Sequence, residues 1–204
     1  MKGLLLKDVY TLAKSLRVFL LLIIVFSCLP GLNMTVFAVV YSSLLPVTAL
    51  SYDERCKWDS LAAMLPYSPA QIVVSKYLLG YIAVLGAALI ALAAHGVYGL
   101  VGKAAADGVL PFLLGGTASG LTVMALSLPP MFKIGVEKGR IFFYVILALI
   151  FGGIVGLEAL TENGLTDALS RMGTGAGIGA ILLVILINAA SILLSVRFYR
   201  RREF

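Results

Sequence analysis

Long apolar runs separated by short polar interruptions dominate the chain. A helix needs about 20 apolar residues to cross the hydrocarbon of a bilayer. The pattern predicts six such spans: two within 18–50, two within 77–132, one over 141–157 and one over 176–196. A transmembrane barrel would need short alternating strands divided by turns, whereas these runs are continuous. Pro30-Gly31 with Asn33 predicts a tight hairpin between the first two spans, and Pro46 predicts a kink late in the second. Pro129-Pro130 predicts a break near the end of the fourth.

Ahead of the first span, Leu5, Val9, Leu12 and Leu16 recur at helical spacing, with Lys7, Thr11 and Lys14 on the other side. Residues 1–17 therefore read as a basic amphipathic helix lying along the membrane surface. The plainer alternative makes them the start of the first span. That span is not read as a cleavable leader, because it ends in Pro30-Gly31 without a small-residue cleavage site and another apolar run follows.

The longest polar interruption is 51–76, which holds Asp53, Glu54, Arg55, Lys57, Asp59, Lys76 and the single tryptophan, Trp58. Ser51-x-x-Glu54 fits a capping box that would start a short helix. Trp58, Leu61 and Leu65 fall on one face of that helix, and Pro66 stops it. Ser68, Pro69 and Gln71 then form a second start signal, opening the third span at Ile72. The segment thus reads as a short amphipathic helix, a turn and a firm re-entry. Trp58 and Leu61 would anchor it, while Asp53, Glu54, Arg55 and Lys57 face a partner or lipid headgroups. A merely solvated turn is the alternative.

Composition fixes the class. Hydrophobic residues make up 61% of the 204 and charged residues 13%, and the mean hydropathy is +1.04. No soluble chain of this length hides so much apolar surface, so the expected fold is an all-α membrane protein. Two cysteines, Cys28 and Cys56, read as free thiols. The net charge of +6 is explained by orientation. With the N-terminus inside, only Lys103 and Arg171 of the 16 basic residues lie outside. The positive-inside rule then gives six spans with both ends cytoplasmic. Nucleic-acid binding would want a single basic face. The remaining segments are an inner loop at 133–140, an outer segment at 158–175 with a short surface helix over 167–172, and a basic tail at 197–204.

Chemistry-bearing motifs are scarce. The six spans so drawn hold no Lys, Arg, Asp or Glu, where an ion-driven carrier usually holds its coupling ion. His95 is the sole candidate relay, and an interfacial or hydrogen-bonded role suits it better. Gly102-Lys103-Ala104 does not complete a nucleotide-binding loop, and GTGAGIG at 173–179 does not fit a dinucleotide fingerprint. One histidine cannot build a multi-histidine metal or catalytic site. Small-residue pairs Gly116/Gly120 and Gly152/Gly156 predict close helix contacts, within the chain or at a dimer seam.

The stretch D-E-R-x-K-W-x-x-L-x-x-x-L-P-x-S-x-x-x-I-V-x-S-K-Y-L, Asp53 to Leu78, resembles the signature of small bacterial ABC-type export permeases of the type-2 class. The layout of the whole chain agrees with it. The resemblance implies a six-span half-transporter in the bacterial cytoplasmic membrane, paired with a second copy or a paralogue. It implies a separate ATPase subunit that binds ATP and Mg, since this chain has no nucleotide site. It makes residues 1–17 a connecting helix. It also implies a coupling helix between spans 2 and 3, with Asp53, Glu54, Arg55, Lys57, Trp58, Leu61 and Leu65 docking that subunit. The implied cargo is a hydrophobic or amphipathic peptide, bacteriocin or drug-like molecule, moved outward. A non-transporting immunity or sensor protein that binds a peptide or partner in the bilayer is the rival. An intramembrane enzyme is disfavoured by the missing catalytic groups.

Overall fold

Apolar residues without interrupting polar side chains favour helix over every other spanning structure, because a helix satisfies its own backbone. Helix is the only regular structure among the described residues. These are residues 2–28, 32–100, 109–145, 148 and 174–201 of a computed structural model. In chain order the helices are α1 (Lys2–Cys28), α2 (Leu32–Ser42), α3 (Leu45–Arg55), α4 (Trp58–Ala63), α5 (Pro69–Leu100) and α6 (Val109–Ile134). A helix over 136–145, α7, and α8 (Thr174–Arg200) follow. Among the described residues four segments are long and apolar enough to cross a membrane: Gly3–Ser27, Met34–Arg55, Pro69–Val97 and Gly179–Arg200. The Pro30-Gly31 hairpin, the loop at 103–107, the fifth span beyond 145 apart from 148, the segment 158–173, and Gly152 and Gly156 lie outside the described residues.

Several boundaries differ from those expected. α1 runs unbroken through residues 17 and 18, since no proline or glycine interrupts it between Leu4 and Cys28. The second span divides into α2 and α3 at Ser43-Leu44 rather than kinking at Pro46. Pro46 lies in the first turn of α3. It has no N–H for the Ser42 carbonyl, and its ring would clash there, so a continuous helix fails just upstream.

Pro129 and Pro130 lie inside α6, which continues to Ile134 instead of breaking. Pro129 leaves the Ala125 carbonyl without its helical donor. The Ser191 hydroxyl of α8 donates to that carbonyl, which is how a proline persists in a spanning helix. The expected loop at 133–140 is mostly helix. Its single break is Gly135, at φ 93°, a conformation that suits glycine.

Met34–Arg55 is the central element, with 56% of its most apolar window buried against 11% for Gly3–Ser27 and 17% for Gly179–Arg200. Gly116 and Gly120 let α6 approach it. A Cβ on Gly116 would sit 3.4 Å from the Val36 Cα, and one on Gly120 would sit 3.5 Å from the Val39 carbonyl oxygen. Both glycines therefore face α2 of the same chain. α5 and α8 are stitched by polar contacts: Tyr77 Oη lies 2.9 Å from Ser195 Oγ and also meets Ser191, and Tyr81 donates to Asn188 Oδ1 at 3.1 Å. His95 Nε2 and Thr35 Oγ1 are 2.8 Å apart, so this histidine is hydrogen-bonded between α5 and α2.

One end of the bundle gathers both extremities of the chain. Leu4, Ala62, Ile72, Val73, Tyr77, Phe132 and Tyr199 share a buried apolar cluster. The start of α1, all of α4, the start of α5 and the ends of α6 and α8 therefore meet there.

Candidate functional site: a braced helix at one end of the bundle

The site is α4 with its two flanking turns. After α3 ends, the Cys56 N–H donates to Tyr52 O at 3.0 Å and the Lys57 N–H to Glu54 O at 3.2 Å. Lys57 adopts φ 50° and ψ 38°, left-handed for a non-glycine residue. That reversal starts α4 at Trp58, so Ser51 caps nothing. Ser51 lies in the last turns of α3 and donates to Val47 O at 3.1 Å. Glu54 does not close a capping box either. At the far end the expected second start is present. The Gln71 N–H donates to Ser68 Oγ at 3.3 Å, and the Ser68 N–H donates to Gln71 Oε1 at 3.2 Å. α4 is thus held between a left-handed turn and a reciprocal cap.

Its faces differ in chemistry. Trp58 and Ala62 pack on the core, and Lys7 Nζ stands 4.2 Å from the Trp58 ring centroid. Leu61 (54% exposed), Met64 (83%) and Leu65 (42%) project outward. The expected anchoring by Leu61 is therefore corrected: the small Ala62 seats the helix, and the larger side chains are left free. Arg55, Cys56 and Lys57 are exposed at the turn.

Asp53 is a second correction, being buried within this chain rather than presented outward. Oδ1 accepts from Lys7 Nζ at 2.6 Å, and Oδ2 pairs with Lys76 Nζ at 2.5 Å. Asp8 Oδ1 meets Lys7 at 3.0 Å and Lys76 at 2.7 Å. Two lysines and two aspartates close a ring that joins α1, α3 and α5. Its charge is zero, which is the condition for burying ions at all. Lys76 and Asp8 are each only 2% exposed. Asp8 Oδ2 and Trp58 Nε1 are buried there without a hydrogen-bond partner.

All four charges fall inside the candidate spans, near the ends that carry α4. The expectation of charge-free spans fails because the helices extend past the boundaries drawn from hydropathy. Lys76 lies seven residues into α5, about 10 Å along the helix axis.

Further ties radiate from α3 and α4. Glu54 Oε2 accepts from the Val136 N–H at 2.7 Å, capping α7. Arg140 donates to Ser51 Oγ at 2.7 Å, and Tyr199 of α8 donates to Asp59 Oδ1 at 3.1 Å. At this end α1, α5, α7 and α8 are each bonded to α3 or α4, while the end of α6 joins through apolar packing. Such an arrangement ties α3 and α4 to several spans at once. Among the described residues no group of three or more His, Cys, Asp or Glu is placed to hold a metal ion.

Of the residues singled out from the sequence, Arg55, Lys57, Leu61 and Leu65 are surface groups of this site, and Trp58 braces it. Asp53 and Glu54 are internal ties. Lys7, Asp8, Lys76, Arg140, Tyr199 and the prominent Met64 were not assigned there. Lys76 carried a legible signal, because it shares a helix face with Ile72 and Val73.

The family described as ABC-2 family transporter protein matches residues 3–200. The chain belongs to the ABC-2 transporter family. That membership, over nearly the whole length, fits a multi-pass membrane protein of the permease type. Members of this kind work with an ABC ATPase subunit and typically lack an ATPase site of their own. No curated protein and no solved structure matches the chain.

Proposed function

We propose that the chain is the membrane subunit of an ATP-driven exporter, with six spans and both ends cytoplasmic, and that α4 is where the motor subunit seats. The observation that carries this reading is the asymmetry of α4. A braced helix shows Leu61, Met64 and Leu65 to the outside beside Arg55 and Lys57. Apolar groups on a rigid, protruding element suit a partner's pocket. The basic-residue asymmetry supports a cytoplasmic position for the same end, where ATP is available.

Two copies, or one copy and a paralogue, would line a path for a hydrophobic or amphipathic cargo such as a peptide. ATP and Mg belong to the partner, whose closure would push α4 and tilt the spans. Membrane lipids cover the exposed leucines and isoleucines of α1, α5 and α8. The membrane would be a bacterial cytoplasmic membrane.

The test is co-purification of the ATPase subunit in mild detergent, with the parent chain and with Leu61→Asp/Met64→Asp. Fully burying one such side chain contributes about 1.5–3 kcal/mol, and each 1.4 kcal/mol is tenfold in affinity. Given their partial exposure, the double variant is expected to bind about 100-fold more weakly. Equal recovery of the ATPase would refute docking at α4.

A further inference from the structure

Resting on the reading of α4 as the docking element, we infer that Asp53 is the positioning residue that distributes α4's displacement to α1 and α5. Asp53 lies on α3 two residues before its end, so it moves with the turn that carries α4. Its carboxylate is divided. One oxygen holds Lys7 of α1 and the other holds Lys76 of α5. Among the described residues outside α1 and α5, no other bonds to both of these helices through charge-assisted contacts. The second aspartate, Asp8, belongs to α1 and closes the ring from the opposite side.

The α1–α3–α5 contact otherwise includes an apolar cluster of Leu12, Leu45, Ala49 and Leu79, flanked by Leu5, Leu16, Phe19 and Ala83, and one hydroxyl pair, Ser15 and Tyr52, at 3.2 Å. Apolar burial is non-directional, so it sets the distance between these helices less sharply than directed bonds do. An ion pair shielded from water resists stretching, since its attraction is screened far less than at the surface. The ring is therefore the stiff member of an otherwise largely apolar seam. α1 needs such a member most: Leu20, Leu21, Ile24 and Val25 are exposed, and little of the helix is buried elsewhere.

Neutral excisions of the ring test this. Asp53→Leu/Lys76→Met leaves Lys7 paired with Asp8, so no unbalanced charge remains, yet α3 loses its charged ties to both neighbours. Lys7→Met/Asp8→Asn leaves Asp53 paired with Lys76, and it takes the ion pairs from α1 alone. Each is placed in the full complex with the ATPase subunit, with Cys28→Ser and Cys56→Ser. Spin labels at Leu21→Cys and Leu186→Cys report α1 against α8, and labels at Ile82→Cys and Leu186→Cys report α5 against α8. All three label positions are exposed.

Distances are measured without nucleotide and with ATP plus orthovanadate. In the parent complex both are expected to shift. In Asp53→Leu/Lys76→Met both shifts are expected to fall below half, with the ATPase still bound and hydrolysing. In Lys7→Met/Asp8→Asn the α1 shift should be lost and the α5 shift kept. Full shifts in both variants would overturn the role of Asp53 and leave only a packing role for the ring. Failure of the parent chain to hold the ATPase would instead overturn the docking reading, before any shift is measured.

Discussion

The four-charge ring makes a sharp stability prediction. Asp53→Leu leaves two ammonium groups facing one carboxylate, in a site where Lys76 is 2% exposed and cannot reach water. Lys76→Met leaves two carboxylates facing Lys7 alone. Removing one partner of a buried pair costs about 3–5 kcal/mol. For a chain of this size, 1 kcal/mol corresponds to about 2–4 °C in melting midpoint, so each single variant should melt about 6–20 °C lower. The double variant keeps only the Lys7–Asp8 pair, 3.0 Å apart and balanced. Replacing a buried ion pair by apolar groups of similar volume is often neutral or stabilising by about 1–4 kcal/mol. The double variant should therefore melt above either single one. Thermal loss of the monodisperse peak in detergent gel filtration gives the three midpoints. Additive losses, with the double variant melting lowest, would refute the ring as a coupled unit.

Three further outcomes are expected from the same assay. Gly139→Ala places a Cβ 2.9 Å from the Met131 Cα; backbone cannot yield there cheaply, so a loss of about 1–3 kcal/mol should lower the midpoint by several degrees. Ser68→Ala removes the hydroxyl acceptor of the Gln71 N–H and leaves it only the Ser68 carbonyl at 2.9 Å, which should cost about 0.5–1 kcal/mol and expose the turn at 64–68 to faster proteolysis. Tyr77→Phe strips the shared partner of Ser191 and Ser195, for about 1–3 kcal/mol, whereas Tyr81→Phe, at a half-buried site, should cost less.

Much of this was legible in the chain, for reasons that mark its limits. Apolar runs and the Ser68–Gln71 box are local signals, and the structure places the start of α5 at Pro69 as they indicate. The small pair Gly116/Gly120 is a local signal too. The ring is not local: Lys7 and Asp53 are 46 positions apart, and Asp8 and Lys76 are 68 apart. Hydropathy treats each of those charges as the end of a span, so it trims the helices just where they meet. Glu54 misled for a related reason. Its spacing from Ser51 fits a cap on its own helix, yet it caps α7, 82 residues on. Ala62 and Leu61 exchanged roles because Lys57's left-handed turn sets the rotation of α4, and no residue pattern announces positive φ at a lysine.

The most direct measurement is photocrosslinking from position 64 in native membranes. A benzophenone amino acid replaces Met64, the most exposed large apolar side chain at this site. A covalent adduct to the ATPase subunit is expected, reduced by Leu61→Asp. Labelling of lipid alone, with the ATPase present and unmodified, would contradict it.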